Sequence, residues 1–351
     1  MNFCSDNVTG AAPEILAALA AANTGTLPSY GEDALTAGVE AKLKEIFETD
    51  LAAFPVATGT AANALALSLL APPWGAIYCH EGAHVAVDEC GAPEFYTGGA
   101  KLVDLPGENG KLTASQLEAV VARGGKGVVH HAQPAAISLT QATEAGASYR
   151  PAEVAAIAEV ARRHGLRLHM DGARFGNAIA FLGATPAEVT WRAGVDILSF
   201  GATKNGALAA EAVIIFDKAL AQEFAFRRKR AGHLFSKMRF LSAQLDAYLK
   251  DGLWLKNARH ANAMAKRLAE GLAGIPDAKL AHPVEANEIF VDLPETAIRG
   301  LIADGFQFYR WLGEDKTLLR LVTAFNTKEA DVAAFIAAAR RHAATANERV
   351  A

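Results

Sequence analysis

The chain has 351 residues, a length that suggests two domains of about 150 residues each. Hydrophobic residues make up 51% of it and charged residues 21%, a balance typical of a folded globular protein and far from a disordered one. The formal net charge of −4 argues against binding to nucleic acid or to an anionic membrane surface.

The three cysteines, Cys4, Cys79 and Cys90, have no CxxC spacing and predict reduced thiols, with neither a disulfide framework nor a metal site. The N-terminal segment lacks the basic and apolar regions of a secretory signal. The longest apolar run, 61–70, is too short to cross a bilayer and indicates a buried helix. We therefore expect a cytoplasmic protein without membrane or nucleic-acid partners.

In chain order, the spacing of apolar residues predicts a helix over 33–47 and a short strand over 52–56, followed by a glycine-containing turn that opens a helix. The same patterns then predict a helix from a Thr113–Gln116 capping box through 121, strands at 128–129, 137–139, 166–170, 195–200 and 212–216, and a helix over 151–164 that ends at Gly165. This alternation favours an α/β domain with a mostly parallel sheet.

The pattern changes beyond residue 235, where we expect one long helical segment to residue 273. The remaining predicted elements are strands near 288–292 and 318–322, and helices near 296–304 and 328–344. The sequence therefore predicts a large domain over 1–240, with an N-terminal arm over 1–30, and a small α+β domain over 241–351.

Three segments carry candidate chemistry, and the first is 57–63. It places small residues at a helix start, where open backbone N–H groups and the helix dipole favour an anion such as phosphate. Thr58 and Thr60 add hydroxyl donors. Taken alone, the segment fits a helix cap without a ligand at least as well.

The second segment, 169–176, places Asp171 just past a buried strand, at the sheet edge where ligands bind in such folds. A buried carboxylate there needs a cation or several hydrogen-bond donors. A protonated pyridine nitrogen meets this need, and so does Arg174 in a plain ion pair, so both interpretations stay open.

The third segment, 199–206, places Lys204 after a strand and among small residues such as Gly201 and Gly206. Most lysines are solvated surface charges, but these neighbours leave room for a planar group. A lysine desolvated in such a place becomes a nucleophilic amine. A phosphate turn, an aspartate and a lysine in this order are far more specific than any one of the segments.

Together these segments resemble the threonine aldolase family, within the fold type I enzymes that use pyridoxal 5′-phosphate (PLP). The resemblance covers nearly the whole chain, through 5–9, 30–33, 58–63, 83–84, 169–174, Lys204 and 320–323. It implies an α/β fold with a mixed, mostly parallel seven-stranded sheet and a small C-terminal α+β domain. It also implies a homodimer or homotetramer whose chains share active sites.

The resemblance implies a role for each matching residue. Lys204 would hold PLP as a Schiff base, Asp171 would pair with the ring nitrogen, and His84 would stack on the ring and exchange protons. The phosphate would be held by Gly59 and Thr60, with Lys229 or Arg230 reaching it across a subunit interface. The substrate would be bound by Ser5, Tyr30, Arg174 and Arg320, of which the two arginines suit a carboxylate.

The chain departs from the family pattern in three places. Asn7 stands where many members have threonine, and Asn205 follows the lysine where glycine is usual. Residues 140–144 replace the segment Glu-Asn-Thr-His-Asn-Gly of many members, and we expect Gln141 to take over the hydrogen bond to the cofactor's ring oxygen.

The resemblance implies cleavage of L-threonine or L-allo-threonine, and of other β-hydroxy-α-amino acids such as phenylserine, to glycine and an aldehyde. A β-eliminating lyase and a serine hydroxymethyltransferase-like enzyme are the alternatives with the same cofactor. From another class, His80, Glu81 and His84 match the HExxH pattern of zinc hydrolases, although Gly82 disfavours the helix that this pattern needs. We expect no metal.

Overall fold

A computed structural model describes residues 1–313 and 316–347 of the chain. Its strands are β1 (Ala52–Val56), β2 (Gly75–His80), β3 (Lys101–Leu105), β4 (Gln133–Thr140), β5 (Arg167–Gly172), β6 (Ile197–Gly201), β7 (Glu211–Ile215), β8 (Lys279–Leu280), β9 (Glu288–Asp292), β10 (Tyr309–Arg310) and β11 (Leu318–Val322). Its α-helices are α1 (Pro13–Ala22), α2 (Ala34–Phe47), α3 (Gly59–Leu70), α4 (His84–Val87), α5 (Ala92–Thr97), α6 (Ala114–Ala122), α7 (Pro151–His164), α8 (Phe175–Leu182), α9 (Pro186–Val189), α10 (Ala221–Arg230), α11 (Arg239–Leu249), α12 (Leu253–Ala273), α13 (Glu295–Ala303) and α14 (Glu329–Asn347).

The large sheet has seven strands in the order β1-β7-β6-β5-β4-β2-β3. Strand β7 is antiparallel to both of its neighbours, and the other strand pairs are parallel. Strands β6 and β7 are buried along their whole length, as expected for strands in the middle of a sheet covered on both faces. The expected mixed, mostly parallel seven-stranded sheet is therefore confirmed.

Local sequence signals set the helix ends. Asp33 caps α2 by accepting a hydrogen bond from the Thr36 amide at 2.9 Å, and Thr58 caps α3 by accepting one from the Ala61 amide at 3.2 Å. Helix α7 ends at Gly165, whose φ of 73° lies in the left-handed region that glycine adopts without strain. The predicted bounds of these helices are confirmed because each cap uses a side chain or glycine visible in the sequence.

The segment 235–273 is not one helix, contrary to the sequence prediction. Asp251 and Gly252 adopt positive φ values of 52° and 68° and separate α11 from α12. Apolar residues continue at helical spacing on both sides of this break, so the hydrophobic pattern alone did not show it. This turn therefore divides the segment into the two helices α11 and α12.

Two smaller predictions are also wrong. Residues 128–129 lie in a turn and not in a strand, and Val129 is 91% exposed. Thr113 caps α6 as expected, but the capping box is incomplete. The Gln116 side chain donates to the Pro106 carbonyl at 2.6 Å and so does not return to the cap.

A second, four-stranded antiparallel sheet has the order β10-β11-β9-β8 and shares an apolar core with α12, α13 and α14. Phe3 of the N-terminal arm belongs to this core, with its ring 5.1 Å from that of Phe335. Leu245 and Tyr248 of α11 pack in the core of the large sheet, whereas Met264 of α12 packs in the second core. The chain therefore passes from the first apolar core to the second within α12. The division into domains after residue 240 stays a prediction.

None of the helices within the described part of the chain is both long and apolar enough to cross a membrane. Cys4, Cys79 and Cys90 are free. Burial, together with the carboxylate of Asp104, raises the pKa of the Cys79 thiol, so this thiol is poorly reactive.

Replacing Asp33 by alanine is expected to lower the free energy of unfolding by about 1–2 kcal/mol, because α2 loses its cap. The Asp33 carboxylate is buried and also accepts a hydrogen bond from the Thr36 hydroxyl at 2.9 Å. Asp33→Asn keeps an acceptor for the amide and should lose clearly less stability. Urea unfolding followed by circular dichroism measures both variants, and equal losses would contradict the capping role.

Candidate active site

A cavity of about 350 Å³ opens at the carboxyl edge of the large sheet. It is lined by the starts of α3 and α4, the ends of β4 and β5, and the turn after β6. Six of the residues singled out from the sequence meet there: Gly59, Thr60, His84, Asp171, Arg174 and Lys204. Because β5 and β6 are neighbours in the sheet, Asp171 and Lys204 come from adjacent strand ends.

The start of α3 presents an anion site to this cavity. The Thr58 hydroxyl accepts from the Ala61 amide, while the first-turn N–H groups of Gly59 and Thr60 have no partner within the helix. The positive end of the helix dipole adds to their attraction for an anion. The position of this helix start on the cavity favours a phosphate site over a cap without a ligand.

Asp171 is 3% exposed, and its hydrogen-bond partners are neutral. Its carboxylate accepts from the Asn63 side-chain amide at 2.7 Å and from the Ala173 backbone amide at 2.9 Å. The ion pair with Arg174 that the sequence left open is wrong, because the Arg174 guanidinium pairs with Asp6 and Glu288. No cation among residues 1–313 and 316–344 pairs with Asp171, so this buried carboxylate is suited to a cationic ligand.

His84 is held in the cavity by a buried acid. Its Nδ1 lies 2.9 Å from Oε1 of Glu89, and the Asn63 side-chain amide donates to the same oxygen at 2.8 Å. The hydrogen bond to Glu89 raises the pKa of His84. Because Asn63 also donates to Asp171, one hydrogen-bonded chain fixes both His84 and Asp171.

Lys204 lies in a 3-10 turn, Thr203–Asn205, directly after β6, and no ion pair engages its amine within the described residues. Glu211 of β7 stabilises this turn by accepting a hydrogen bond from the Ala202 amide at 2.8 Å. Burial raises the pKa of Glu211 to about 7, so its carboxyl is largely neutral below that pH. The turn is thus fixed while the amine stays available to a ligand.

Buried acids join the two arginines expected to bind a substrate carboxylate. Arg174 donates from Nε and Nη2 to Asp6 at 2.8 and 2.9 Å, and its Nη1 lies 3.1 Å from Glu288. Arg320 donates to the same Glu288 at 2.6 Å. Arg174 also lines the cavity. Arg320 and Ser5 are not among the residues that line the cavity.

Three expected residues lie away from the cavity of their own chain. Tyr30 and Lys229 meet on another part of the surface, where the ammonium lies 4.6 Å from the ring centre. Arg230 lines a separate groove. A contact from any of them to the cofactor would have to reach the cavity of a neighbouring subunit.

Gln141 does not line the cavity, and its expected contact with the cofactor is not available. The residue is fully buried, and its side-chain amide exchanges hydrogen bonds of 2.9 Å with the N–H and carbonyl of Tyr149. Residues that follow Gln141 in the same loop, Ala142 and Glu144, line the cavity in its place.

The HExxH pattern does not form a zinc site, so the zinc hydrolase alternative is wrong. His80 ends β2 and His84 begins α4, so the two histidines do not lie on successive turns of one helix. His80 contacts the Gly107 carbonyl through Nε2 at 2.9 Å and the Gly82 amide through Nδ1 at 3.0 Å. Among the described residues, no group of three or more His, Cys, Asp or Glu could hold a metal ion.

Several polar residues that build this site were not predicted from the sequence: Asn63, Glu89, Glu211 and Glu288. Glu211 had a detectable signal, since it is a charged residue within the apolar run 209–216. Glu89 had none, because its partners Asn63 and His84 reach it only through the packing of α3 beside α4 and α5.

Comparison with known proteins agrees with this geometry. A family model described as beta-eliminating lyase matches residues 2–296, most of the chain. The chain belongs to the beta-eliminating lyase family. It is 46% identical over 330 residues to the low specificity L-threonine aldolase of Pseudomonas sp. (strain NCIMB 10558), with 94% of each chain covered.

Two further proteins similar to this chain are also threonine aldolases. It is 48% identical over 312 residues to the low specificity L-threonine aldolase of Pseudomonas aeruginosa, covering 89% of this chain and 90% of the relative. The solved threonine aldolase of Leishmania major superposes with a TM-score of 0.91 at 29% identity, covering 97% of this chain and 99% of that one. The resemblance to threonine aldolases and to the PLP fold type I architecture is confirmed.

Glu211→Gln is expected to change how the stability of this lyase, without cofactor, depends on pH. Because the folded pKa is raised to about 7 from 4.5, the folded chain keeps a proton that the unfolded chain releases. The resulting stability is present below the unfolded pKa and is lost as the pH rises through the folded one. Glutamine mimics the neutral acid, so the variant should gain on the order of 2–3 kcal/mol over the wild type from about pH 5 to about pH 8.

Urea unfolding of the cofactor-free protein across this pH range measures the difference. Glu14→Gln, at an exposed position in α1, is the matched control and should follow the wild type at every pH. A constant difference between Glu211→Gln and the wild type would show that Glu211 is already ionised in the folded chain.

Proposed function

We propose that this chain is a PLP-dependent aldehyde-lyase that cleaves L-threonine and L-allo-threonine to glycine and acetaldehyde. One observation carries the proposal: a lysine amine and a buried carboxylate, neither paired with an opposite charge among the described residues, share one cavity. The names of the relatives support the substrate. Other β-hydroxy-α-amino acids, such as phenylserine, belong to the same proposal.

The residues of the cavity fit the charges of PLP. The N–H groups of Gly59 and Thr60 would hold the phosphate, Lys204 would bind the aldehyde carbon, and Asp171 would pair with the protonated ring nitrogen. His84 would lie against the ring. When bound, PLP supplies a cationic ring that accepts the electron pair of the bond broken at Cα.

Arg174 is placed to hold the substrate carboxylate. Asp6 and Glu288 hold its guanidinium, and the planar fork of N–H donors on an arginine matches the two oxygens of a carboxylate. Ser5 and Arg320 would complete this subsite from behind. Holding the carboxylate there would restrict rotation about the bond between the substrate nitrogen and Cα. The Cα–Cβ bond could then stand perpendicular to the cofactor ring.

His84 is the residue that would take the proton from the β-hydroxyl. The Glu89 carboxylate accepts from Nδ1, which leaves Nε2 as the nitrogen that can receive a proton. Because this carboxylate also stabilises the protonated ring, it makes His84 a stronger base. The β-oxygen loses its proton to Nε2 while the aldehyde carbonyl forms.

We also propose a homodimer or homotetramer with shared sites, working in the cytoplasm. Lys229, Arg230 and Tyr30 lie outside the cavity of their own chain, which supports a role for them in the cavity of a neighbour. The three free cysteines are consistent with a reducing compartment.

Purified protein supplied with PLP and L-threonine should release glycine and acetaldehyde in equal amounts. Lys204→Ala should abolish this activity. It should also abolish the covalent attachment of the cofactor by borohydride, because no other lysine among the described residues lines the cavity. Mass spectrometry locates the fixed cofactor. Release of 2-oxobutyrate and ammonia would instead identify β-elimination, and a fixed cofactor that persists in Lys204→Ala would disprove the lysine assignment.

Asp171→Ala should keep part of the bound cofactor and lose more than about 100-fold in turnover, because the ring nitrogen loses the carboxylate that keeps it charged. Absorption spectra measure the cofactor, and acetaldehyde release measures turnover. A PLP analogue methylated at the ring nitrogen carries a permanent charge and should restore part of the turnover in this variant. Near-wild-type turnover of Asp171→Ala with ordinary PLP would refute the role of Asp171.

A further inference from the structure

Glu144 is a cavity residue to which neither the family resemblance nor the proposed function gives a role. Its Oε1 accepts hydrogen bonds from the His84 backbone amide at 2.8 Å and from the Thr140 hydroxyl at 2.9 Å. Its other oxygen, Oε2, is enclosed and has no hydrogen-bond partner among the described residues. An enclosed carboxyl oxygen without a partner is costly unless a ligand pairs with it.

The loop that carries Glu144 is held firmly, so the position of the carboxyl is set by the fold. Gln141 anchors the loop at one end through both hydrogen bonds to Tyr149. Inside the loop, the Thr143 hydroxyl donates to the Asn109 carbonyl at 2.7 Å and accepts from the Ala147 amide at 3.2 Å. Gln141 therefore serves the cofactor site indirectly, by fixing the loop on which Glu144 stands.

The surroundings of Glu144 favour the neutral form of its carboxyl group. No cation among residues 1–313 and 316–344 forms an ion pair with it, and burial is the main cause that raises its pKa to about 7. The titratable groups that act on it or respond to it are Cys79, Tyr149, Asp171 and Arg174, and the His84 backbone amide also donates to it. Arg174 is the cation among them that stays charged, and it is already paired with Asp6 and Glu288. Below about pH 7, Glu144 is thus mostly a proton-bearing donor.

The strand order shows which part of PLP such a donor would face. The phosphate site follows β1, Lys204 follows β6 and Asp171 ends β5, while Glu144 follows β4, on the far side of β5 from β1. In PLP, the phosphate arm and the ring oxygen are attached to the two ring carbons on either side of the ring carbon that bears the aldehyde. A ring held between Lys204 and Asp171, with its phosphate toward β1, therefore turns its ring oxygen toward β4 and Glu144.

We propose that the carboxyl group of Glu144 donates a hydrogen bond to the ring oxygen of PLP. This inference rests on the proposed function, because it requires PLP in the cavity. Glu144 thereby takes the place that the sequence assigned to Gln141. A donor there stabilises negative charge on the ring oxygen, which weakens the internal hydrogen bond that holds a proton on the nitrogen joining Lys204 to the cofactor. Glu144 is then a positioning residue that sets the pH at which this nitrogen loses its proton.

The test is a pH titration of the visible absorption of the PLP-loaded enzyme, which reports the proton on this nitrogen without any turnover. Glu144→Ala should raise the midpoint by about one pH unit, because a hydrogen bond to a charged oxygen is lost. Glu144→Gln keeps a donor and should stay within about 0.3 pH units of the wild type. Glu153→Gln, at a partly exposed position in α7 outside the cavity, is the matched control and should leave the midpoint unchanged.

The outcomes separate this inference from the proposed function. A wild-type protein that binds no PLP would overturn both. A wild type that binds PLP, with an unchanged or lowered midpoint in Glu144→Ala, would overturn the donor role alone, since the loss of an ionised Glu144 would lower the midpoint. A Glu144→Gln variant that shifts as far as Glu144→Ala would also overturn it. Thr140→Val, which removes one contact to Oε1 but keeps the acid, should shift the midpoint less than Glu144→Ala if the donor role holds.

Discussion

The site depends on one constraint, the buried carboxylate of Asp171 that has neutral donors but no cation among the described residues. A cation paired with Asp171 would compete with the protonated heterocycle that we propose binds there. His169, two residues earlier in β5, is excluded as such a cation because burial between Ser138 and Ser199 lowers its pKa to about 4. Arg174 is excluded because Asp6 and Glu288 already engage it. The fold thus keeps His169 neutral and Arg174 occupied by other acids.

The ionic chain Asp6–Arg174–Glu288–Arg320 has a second consequence, for the geometry of the substrate. Asp6 comes from the N-terminal arm, Arg174 from the large sheet, and Glu288 and Arg320 from the small sheet. Buried ion pairs contribute little net stability, because desolvation offsets their attraction, but they do fix orientation. The proposed carboxylate subsite would therefore be rigid only when all three parts of the chain are in contact, which would couple substrate binding to the packing of both sheets.

Short elements bounded by clear signals could be predicted from the sequence, and contacts between distant segments could not. Strands β1, β9 and β11 have the predicted bounds because their apolar runs end at polar or turn residues. Lys204 and Asp171 were found because both follow buried strands. Gln141 was misplaced because its side chain bonds to the backbone of its own loop, and a local sequence pattern does not reveal which loop residue points inward.

The acids of the cavity show how burial assigns different chemical states to one residue type. Asp6 and Glu288 are paired with arginines, whereas burial without a paired cation raises the pKa of Glu144 and Glu211 to about 7. Asp171 differs from both groups, because it accepts from two N–H donors and pairs with no cation among the described residues. In the proposed site, carboxyl side chains therefore supply both a proton donor, Glu144, and the partner of the ring nitrogen, Asp171.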